Sequence, residues 1–187
     1  MELTDHDLNM ELTDHNLNME LADHNLNMEL ADHNLNIVLH EPEIPQNTGN
    51  IARTCAAVGA NLHLIRPLGF SVEDRYLKRA GLDYWDKLNI FYYDNYRELV
   101  LRYEKADFYY FTTKGKKNYN EIRYPNNCFI VFGKETAGLP NEILSANHEK
   151  CFRIPMREGI RSLNLSNSVA VIAYEVMRQA GFSGMIG

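Results

Sequence analysis

Small polar side chains are concentrated near the end of the chain, in the segment REGIRSLNLSNSVAVIAYE that starts at Arg157. The second half of this segment has the apolar spacing of a buried helix. The first half carries five hydrogen-bonding side chains, which are Ser162, Asn164, Ser166, Asn167 and Ser168. One capping side chain is enough for a helix N-terminus, and we expect residues 166–168 to supply it. The other small polar side chains suggest that this segment also holds something other than the helix.

Two further segments each present a charged side chain in a setting that suits a binding site. In NTGNIAR, which begins at Asn47, Arg53 lies on a helix of otherwise small or apolar residues. Such an arginine can extend over apolar surface, pair with a carboxylate or act on a ligand, and we expect Asn47 or Thr48 to cap the helix. In VFGKETAGLP, Glu135 lies between two glycines, which form either a plain turn or a backbone that approaches a ligand closely.

Basic residues lie close to these segments and are candidate contacts for the phosphates of a nucleic acid. They are Lys114, Lys116, Lys117, Arg153, Arg157 and Arg161. A second group, Arg75, Lys78 and Arg79, either extends this surface or forms a solvated helix face. Neither the G-x-G-x-x-G nor the G-K-[ST] fingerprint is present in the sequence. Dinucleotide and nucleoside triphosphate binding are therefore disfavoured.

The acidic residues are concentrated in a repeated leader. Residues 1–36 are four nonapeptides, MELTDHDLN, MELTDHNLN, MELADHNLN and MELADHNLN, with nine acidic residues and no lysine or arginine. The whole chain has a net charge of -6, but the remainder has 16 acidic and 19 basic residues, a formal charge of +3. Nine residues are too few for a solenoid repeat, and histidines nine residues apart match no compact metal-ligand set. We expect the leader to lie outside the fold.

The rest of the chain alternates short apolar runs with helical patterns. We expect strands at residues 36–40, 62–66, 89–93, 107–112, 128–132 and 151–154. We expect helices at residues 48–58, 74–80, 96–104, 141–146 and 168–180. This alternation predicts a single α/β domain with a mainly parallel sheet flanked by helices. Ligands bind beyond the carboxyl ends of such strands, which selects the loops at residues 41–49, 112–117, 133–140 and 155–167.

Three segments resemble the three motifs of the SPOUT RNA methyltransferases. They are NTGNIAR, FGKETAGLP from Phe132 to Pro140, and IPMREGIRSLNLSNSVA from Ile154 to Ala170. The resemblance extends from about Leu35 to the C-terminus, includes EPEIPQNTGN, RAGLDY and TTKG, and is strongest to the small branch that methylates the wobble nucleotide of tRNA. It implies a domain at residues 35–187 with a C-terminal trefoil knot, and a homodimer that completes the active site across its interface.

The resemblance also implies a reaction and its participants. S-adenosyl-L-methionine would donate a methyl group to a ribose 2'-hydroxyl of a tRNA anticodon stem-loop, leaving S-adenosyl-L-homocysteine. By position, the donor would contact Phe111, Gly133, Ile154, Ser162 and Leu163. The active-site positions would be Asn47, Arg53, Glu135, Ser162 and Asn164. The RNA site would include Lys114 and Tyr174, with Arg157 and Arg161 as further contacts. We expect no metal and no membrane partner.

Arg53 corresponds to the proposed base of the family. A guanidinium remains protonated near pH 7 because its pKa is above about 12. We therefore expect Arg53 to orient the 2'-hydroxyl and an adjacent phosphate, while the proton leaves through a phosphate oxygen or water. We expect Glu135 to hold Arg53 or the third motif.

The sequence leaves two alternative functions open. Methylation of another tRNA or rRNA site, or RNA binding without catalysis on the same fold, are the alternatives that sequence separates least well.

The chain has no apolar run near the roughly 18 residues of a membrane span and no secretion signal, so we expect a cytoplasmic protein. We expect its cysteines, Cys55, Cys128 and Cys151, to be reduced core residues.

Overall fold

The apolar runs form a parallel sheet in the computed structural model, which describes residues 34–71 and 88–186. The strands in the described residues are β1 (Asn36–His40), β2 (Asn61–Ile65), β3 (Ile90–Tyr93), β4 (Phe108–Phe111), β5 (Lys117–Asn118), β6 (Phe129–Phe132) and β7 (Cys151–Arg153). Their order across the sheet is β3-β2-β1-β6-β4-β7-β5, and every pair is parallel. The central strands β1 and β6 are buried along their whole length, as expected for a sheet covered on both faces.

Helices cover both faces of this sheet. They are α1 (Pro45–Val58), α2 (Tyr96–Arg102), α3 (Asn141–Ala146) and α4 (Leu165–Gln179). On one face, α1 and α4 contribute Ile51, Cys55, Val169 and Ile172 to a single apolar cluster. On the other face, α2 and α3 contribute Leu99 and Ile143 to a second cluster. Within the described residues, no helix is both long enough and apolar enough to cross a membrane.

The sequence located six of the strands to within one residue at each end. It missed β5, a two-residue strand without an apolar run to mark it. The predicted helix at residues 141–146 is confirmed, and that at 96–104 ends at Arg102. The predicted helix at 74–80, the basic residues Arg75, Lys78 and Arg79, and almost all of the repeat leader lie outside the described residues. The three cysteines are buried and unpaired, as predicted.

The expected N-terminus of α1 was wrong by three residues. The helix begins at Pro45, whose ring fixes the backbone angle that a first helical turn requires. Ile44 is the N-cap residue and makes no side-chain capping bond. Asn47 and Thr48, the expected caps, instead lie buried inside the first turn.

The expected cap of α4 was also wrong. Asn164 is the N-cap residue, and its Oδ1 accepts hydrogen bonds from the backbone N–H groups of Ser166 at 2.9 Å and Asn167 at 3.4 Å. Residues 166–168 lie inside the first turn. Asn164, which the sequence assigned to the active site, is therefore the side chain that caps α4.

A buried histidine in β2 links this strand to β1 and β3. His63 Nε2 lies 3.1 Å from Asn36 Oδ1, and His63 Nδ1 lies 2.9 Å from the Tyr93 hydroxyl. Because a carbonyl oxygen only accepts, Nε2 carries the proton and Tyr93 donates to Nδ1. Burial, with a smaller contribution from nearby Arg102, lowers the pKa of His63 to about 3. His63 is therefore neutral in the folded protein at ordinary pH.

Candidate functional site

A pocket of about 420 Å³ opens where the first turns of α1 and α4 meet the loops that follow β4, β6 and β7. Ile44 and Asn47, from the loop predicted at residues 41–49, also line the pocket, so all four loops that the sequence selected contribute to it. The position agrees with the rule that open parallel sheets bind ligands beyond the carboxyl ends of their strands. The volume is within the range of pockets that hold a small organic ligand.

Most of the predicted site residues line this pocket. The expected donor contacts all do so, namely Phe111, Gly133, Ile154, Ser162 and Leu163. Of the remaining predicted residues, Asn47, Lys114, Glu135, Arg161 and Asn164 also line it. The structure thus brings together groups from four distant segments, while their roles in binding and catalysis stay predictions.

A chain of hydrogen bonds links three of the loops. Glu135 Oε1 accepts from the side-chain amide of Asn47 at 2.9 Å. Asn47 Oδ1 in turn accepts from the side-chain amide of Asn164 at 3.0 Å. Asn164 Oδ1 accepts from the Ser166 hydroxyl at 2.7 Å as well as from the α4 backbone. The orientation of each amide is therefore fixed by partners on both of its sides.

Glu135 also binds the backbone that leads into α1. Its Oε2 accepts from the Glu43 N–H at 2.8 Å, and its Oε1 accepts from the Ile44 N–H at 3.3 Å. These two donors precede the first helical turn, where side-chain capping is otherwise missing. A carboxylate at this position also interacts favourably with the helix dipole. Glu135, which lies on another loop, thus accepts hydrogen bonds at the start of α1, where the N-cap residue makes no side-chain capping bond. It holds the third motif through Asn47, as the sequence suggested in part.

The loop after β6 is a tight turn whose geometry requires two glycines. A Cβ placed on Gly133 would lie 2.0 Å from the Gly138 carbonyl carbon, so no side chain fits there. Gly138 has a φ of 70°, a left-handed conformation that glycine adopts without strain. Lys134 and Gly138 close the turn as an isolated bridge, with a backbone hydrogen bond of 2.9 Å. The backbone of this turn therefore forms part of the pocket wall.

The loop after β4 approaches β7 just as closely. A Cβ on Gly115 would lie 2.5 Å from the Phe152 carbonyl carbon. The Thr112 N–H donates to the Phe152 carbonyl at 3.0 Å. This contact holds Lys114 at the pocket, where its Nζ donates to Asn141 Oδ1 at 3.3 Å. The TTKG sequence is thus explained by backbone packing that positions one lysine.

Three of the predicted functional residues lie outside the pocket lining. Arg53 is exposed on α1, six residues beyond Asn47. Arg157 is exposed in the loop before α4, and Tyr174 is 45% exposed on α4 itself. The family resemblance marked all three as site residues, but none of them lines the pocket.

Glu41 and Glu43 also fix the pocket wall, although no sequence motif marked them as site residues. Glu43 accepts hydrogen bonds from Thr136, and the Lys134 ammonium lies 2.9 Å from Glu41 Oε2. The only sequence signal for these contacts is an acidic pair directly after β1, which by itself is typical of a solvated loop. Among the described residues, no group of three or more histidine, cysteine or acidic side chains is arranged to hold a metal ion.

Comparison with known proteins identifies the class to which this fold and site belong. The profile of the SpoU rRNA methylase family matches residues 34–174. The chain belongs to this family.

The chain is also similar to individual methyltransferases and to solved structures. A Listeria innocua protein, provisionally named a tRNA (cytidine(34)-2'-O)-methyltransferase, is 57% identical over 152 residues, covering 80% of this chain and 90% of that protein. A solved structure described as giving structural insights into the 2-OH methylation of C/U34 on tRNA has a TM-score of 0.77 and 43% identity, covering 81% of this chain and 99% of that one. An AdoMet-bound rRNA methyltransferase from Sinorhizobium meliloti has a TM-score of 0.70 and 25% identity, covering 78% and 56% of the two chains.

Proposed function

We propose that this protein transfers the methyl group of S-adenosyl-L-methionine to the ribose 2'-hydroxyl of nucleotide 34 of tRNA, a cytidine or a modified uridine. The observation that carries the proposal is the hydrogen-bonded chain Glu135–Asn47–Asn164, which joins all three motifs at one pocket. Family membership and the similarity to tRNA nucleotide-34 methyltransferases support the same reaction.

The pocket suits the proposed methyl donor. Its wall includes the apolar side chains of Phe111, Leu139 and Ile154, which offer a surface for an adenine ring. Polar groups on the same wall, among them Thr112 and Ser162, can bind the ribose and the amino acid portion of the methyl donor. S-adenosyl-L-homocysteine would occupy the same pocket as the product.

The bound sulfonium donor would supply an already activated methyl group, so the residues of this chain mainly position the acceptor. We assign Arg53 to orienting the 2'-hydroxyl and a neighbouring phosphate through its planar fork of donors. The proton would leave through a phosphate oxygen or water. Glu135 already accepts three hydrogen bonds, from Glu43, Ile44 and Asn47, and we assign it a positioning role. Ser162 and Asn164 complete the proposed active-site positions.

A homodimer would complete the site, because Arg53 lies outside the pocket of its own subunit. Exposed apolar side chains offer a surface for a second copy. Val171 and Tyr174, three residues apart on α4, are 38% and 45% exposed, and Leu163 beside the pocket is 39% exposed. Light scattering on the purified chain should give the mass of two copies, whereas the mass of one copy at the assay concentration would contradict this part of the proposal.

Two structural elements of the proposal follow the family resemblance. We place the catalytic domain at residues 35–187, a boundary supported by the family match that begins at residue 34. We also propose that the segment leading from β7 to α4 forms the trefoil knot. The position of β7 between β4 and β5 supports this topology, and an experimental map traced from β4 to α4 tests it.

The RNA would approach the mouth of the pocket, where Lys114 and Arg161 line the wall. Arg157 and Tyr174 are exposed and would provide further contacts. Cations of this kind contact phosphates, and an exposed tyrosine can stack on a base of the anticodon loop. Methylation of an rRNA ribose is the second candidate, because the family description and one structural neighbour concern rRNA.

The direct biochemical test is methyl transfer from labelled S-adenosyl-L-methionine to purified RNA. The expected acceptor is tRNA with cytidine or uridine at position 34. The matched control is the same tRNA with a 2'-deoxynucleotide at position 34 only, which should accept no label. Equal labelling of the two tRNAs would contradict the proposal, and labelling of rRNA alone would favour the second candidate.

A further inference from the structure

We infer that Glu43 is a positioning residue for the methyl-donor pocket, acting through Thr136. This inference rests on the proposed function. Glu43 Oε2 accepts a hydrogen bond from the Thr136 N–H at 3.1 Å, and Glu43 Oε1 accepts from the Thr136 hydroxyl at 3.0 Å. One carboxylate therefore binds both donors of a single residue 93 positions away in sequence.

The contact is reciprocal. The Glu43 N–H donates to Glu135 Oε2 at 2.8 Å, while the Thr136 N–H donates to the Glu43 carboxylate. Each segment thus donates backbone N–H groups to a carboxylate of the other. We call the three residues Glu43, Glu135 and Thr136 the carboxylate clasp. Next to it, Lys134 and Glu41 form a third link between the same two segments.

Glu43 acts on the pocket without lining it. Thr136 and its neighbours on the turn line the pocket, whereas Glu43 is half-buried behind them. The turn is already packed tightly within itself, because Gly133 leaves no room for a side chain against Gly138. The Glu43 carboxylate adds a link from Thr136 on this turn to the segment before α1. Holding a pocket wall in its binding geometry reduces the ordering that a ligand would otherwise have to impose.

If Glu43 positions the pocket wall, its substitution should lower donor affinity but change the rate at saturating donor little. The turn belongs to the pocket of the donor, so loosening it weakens donor binding. The acceptor hydroxyl is oriented by other residues, so the rate at saturating donor changes little. A merely structural contact would lower the stability of the protein and leave donor affinity unchanged in the folded fraction.

Two matched pairs of variants test this separation in the full-length protein. Glu43→Leu removes both acceptors, whereas Glu43→Gln can still accept from the Thr136 N–H and donate to its hydroxyl. Thr136→Val removes the hydroxyl, whereas Thr136→Ser keeps it. Asp107→Asn, a surface carboxylate paired with Lys150 near the amino-terminal edge of the sheet, serves as the control.

The measurement is the dissociation constant of S-adenosyl-L-homocysteine by calorimetry, with single-turnover methylation at saturating donor as the second readout. We expect Glu43→Leu to bind about tenfold more weakly and Thr136→Val about threefold more weakly, since charge-assisted hydrogen bonds exceed neutral ones. The variants Thr136→Ser and Asp107→Asn should stay within about 1.5-fold of the wild type, and Glu43→Gln within about threefold. Saturated rates should agree to within about twofold.

Two results overturn the inference, and a third concerns the proposed function. Wild-type affinity in Glu43→Leu overturns it, as does a weakened affinity that is accompanied by an equal loss of the saturated rate. If Glu43→Leu does not fold, equal affinities of Thr136→Val and Thr136→Ser overturn it instead. A wild-type protein that binds no S-adenosyl-L-homocysteine would contradict the proposed function and not this inference alone.

Discussion

The side-chain amide of Asn164 donates to Asn47 Oδ1 at 3.0 Å, across 117 residues of sequence. The same Asn164 caps α4 through its oxygen, and the same Asn47 donates to Glu135. Because an amide offers a donor and an acceptor at once, each asparagine can relay a fixed orientation from one loop to the next. Neither an aspartate nor a serine can make both contacts with this geometry.

Replacing Asn47 by aspartate should therefore be strongly destabilising. The Asn47→Asp variant loses the donor to Glu135 and sets two carboxylates 2.9 Å apart at a side chain that is only 6% exposed. We expect a loss of about 2–4 kcal/mol in the free energy of unfolding, measured by urea denaturation at pH 7. Asn120→Asp, at an exposed position, should change it by less than about 0.5 kcal/mol. Equal stabilities of the two variants would refute the relay.

The two glycines of the pocket turn should respond differently to substitution. Gly133→Ala has no space for its Cβ beside Gly138, so we expect donor binding to fall at least tenfold as the turn is displaced. Gly138→Asn meets open space and needs only the left-handed conformation, which asparagine tolerates. We expect that variant to bind within about threefold of the wild type. Calorimetry with S-adenosyl-L-homocysteine compares them, and a weaker ligand affinity in Gly138→Asn than in Gly133→Ala would contradict this account of the turn.

Acidification should destabilise the protein through His63. Its folded pKa of about 3 lies below the ordinary value of 6.5, so the unfolded chain binds a proton in this range that the folded protein excludes. This contribution to stability is complete above pH 6.5 and is lost as the pH falls from there toward 3. The slope approaches about 1.4 kcal/mol per pH unit in the middle of the range.

The variant His63→Gln isolates this effect. Glutamine can still donate to Asn36 but does not titrate. We expect the difference in unfolding free energy between pH 7 and pH 5 to be smaller in the variant by about 2 kcal/mol. Measuring the difference within each protein removes any constant cost of the substitution. The same pH dependence in both proteins would contradict the assignment of His63 as a buried neutral residue.

The elements of the fold were largely readable from the sequence because buried parallel strands leave apolar runs of four or five residues. Runs such as IVLH and FIVF can hardly lie anywhere but in the middle of a covered sheet. The order of the strands was not readable. It places β6 beside β1 and β7 beside β5, pairings that depend on long crossovers and not on any local pattern.

The sequence named many of the residues that line the pocket but few of the contacts between them. Asn164 was recognised from its motif, but its role as the cap of α4 was assigned to its neighbours, since any of several small polar residues can cap a helix. The contact between Glu43 and Thr136 was not foreseen, because a carboxylate after a strand is compatible with many partners. Packing of distant loops decides such contacts, and spacing along the chain does not record it.

Arg53→Lys tests the proposed chemical role of Arg53. Lysine keeps the charge but loses the planar fork that can hold a hydroxyl and a phosphate together. We expect the single-turnover methylation rate to fall at least about tenfold, with donor affinity unchanged because Arg53 lies outside the pocket lining. Arg102→Lys, an exposed change on α2, is the control and should retain the rate. A near-normal rate in Arg53→Lys would exclude both a base role and an orienting role that depends on the fork.

Mass spectrometric mapping of nucleotide 34 in cellular tRNA shows whether this protein methylates that nucleotide. In a strain that lacks the gene, we predict that 2'-O-methylation at position 34 is lost while other ribose methylations remain. Restoring the wild-type gene should restore the modification, whereas an Arg53→Lys gene should restore much less of it. Unchanged 2'-O-methylation of nucleotide 34 in the deletion strain would contradict the account.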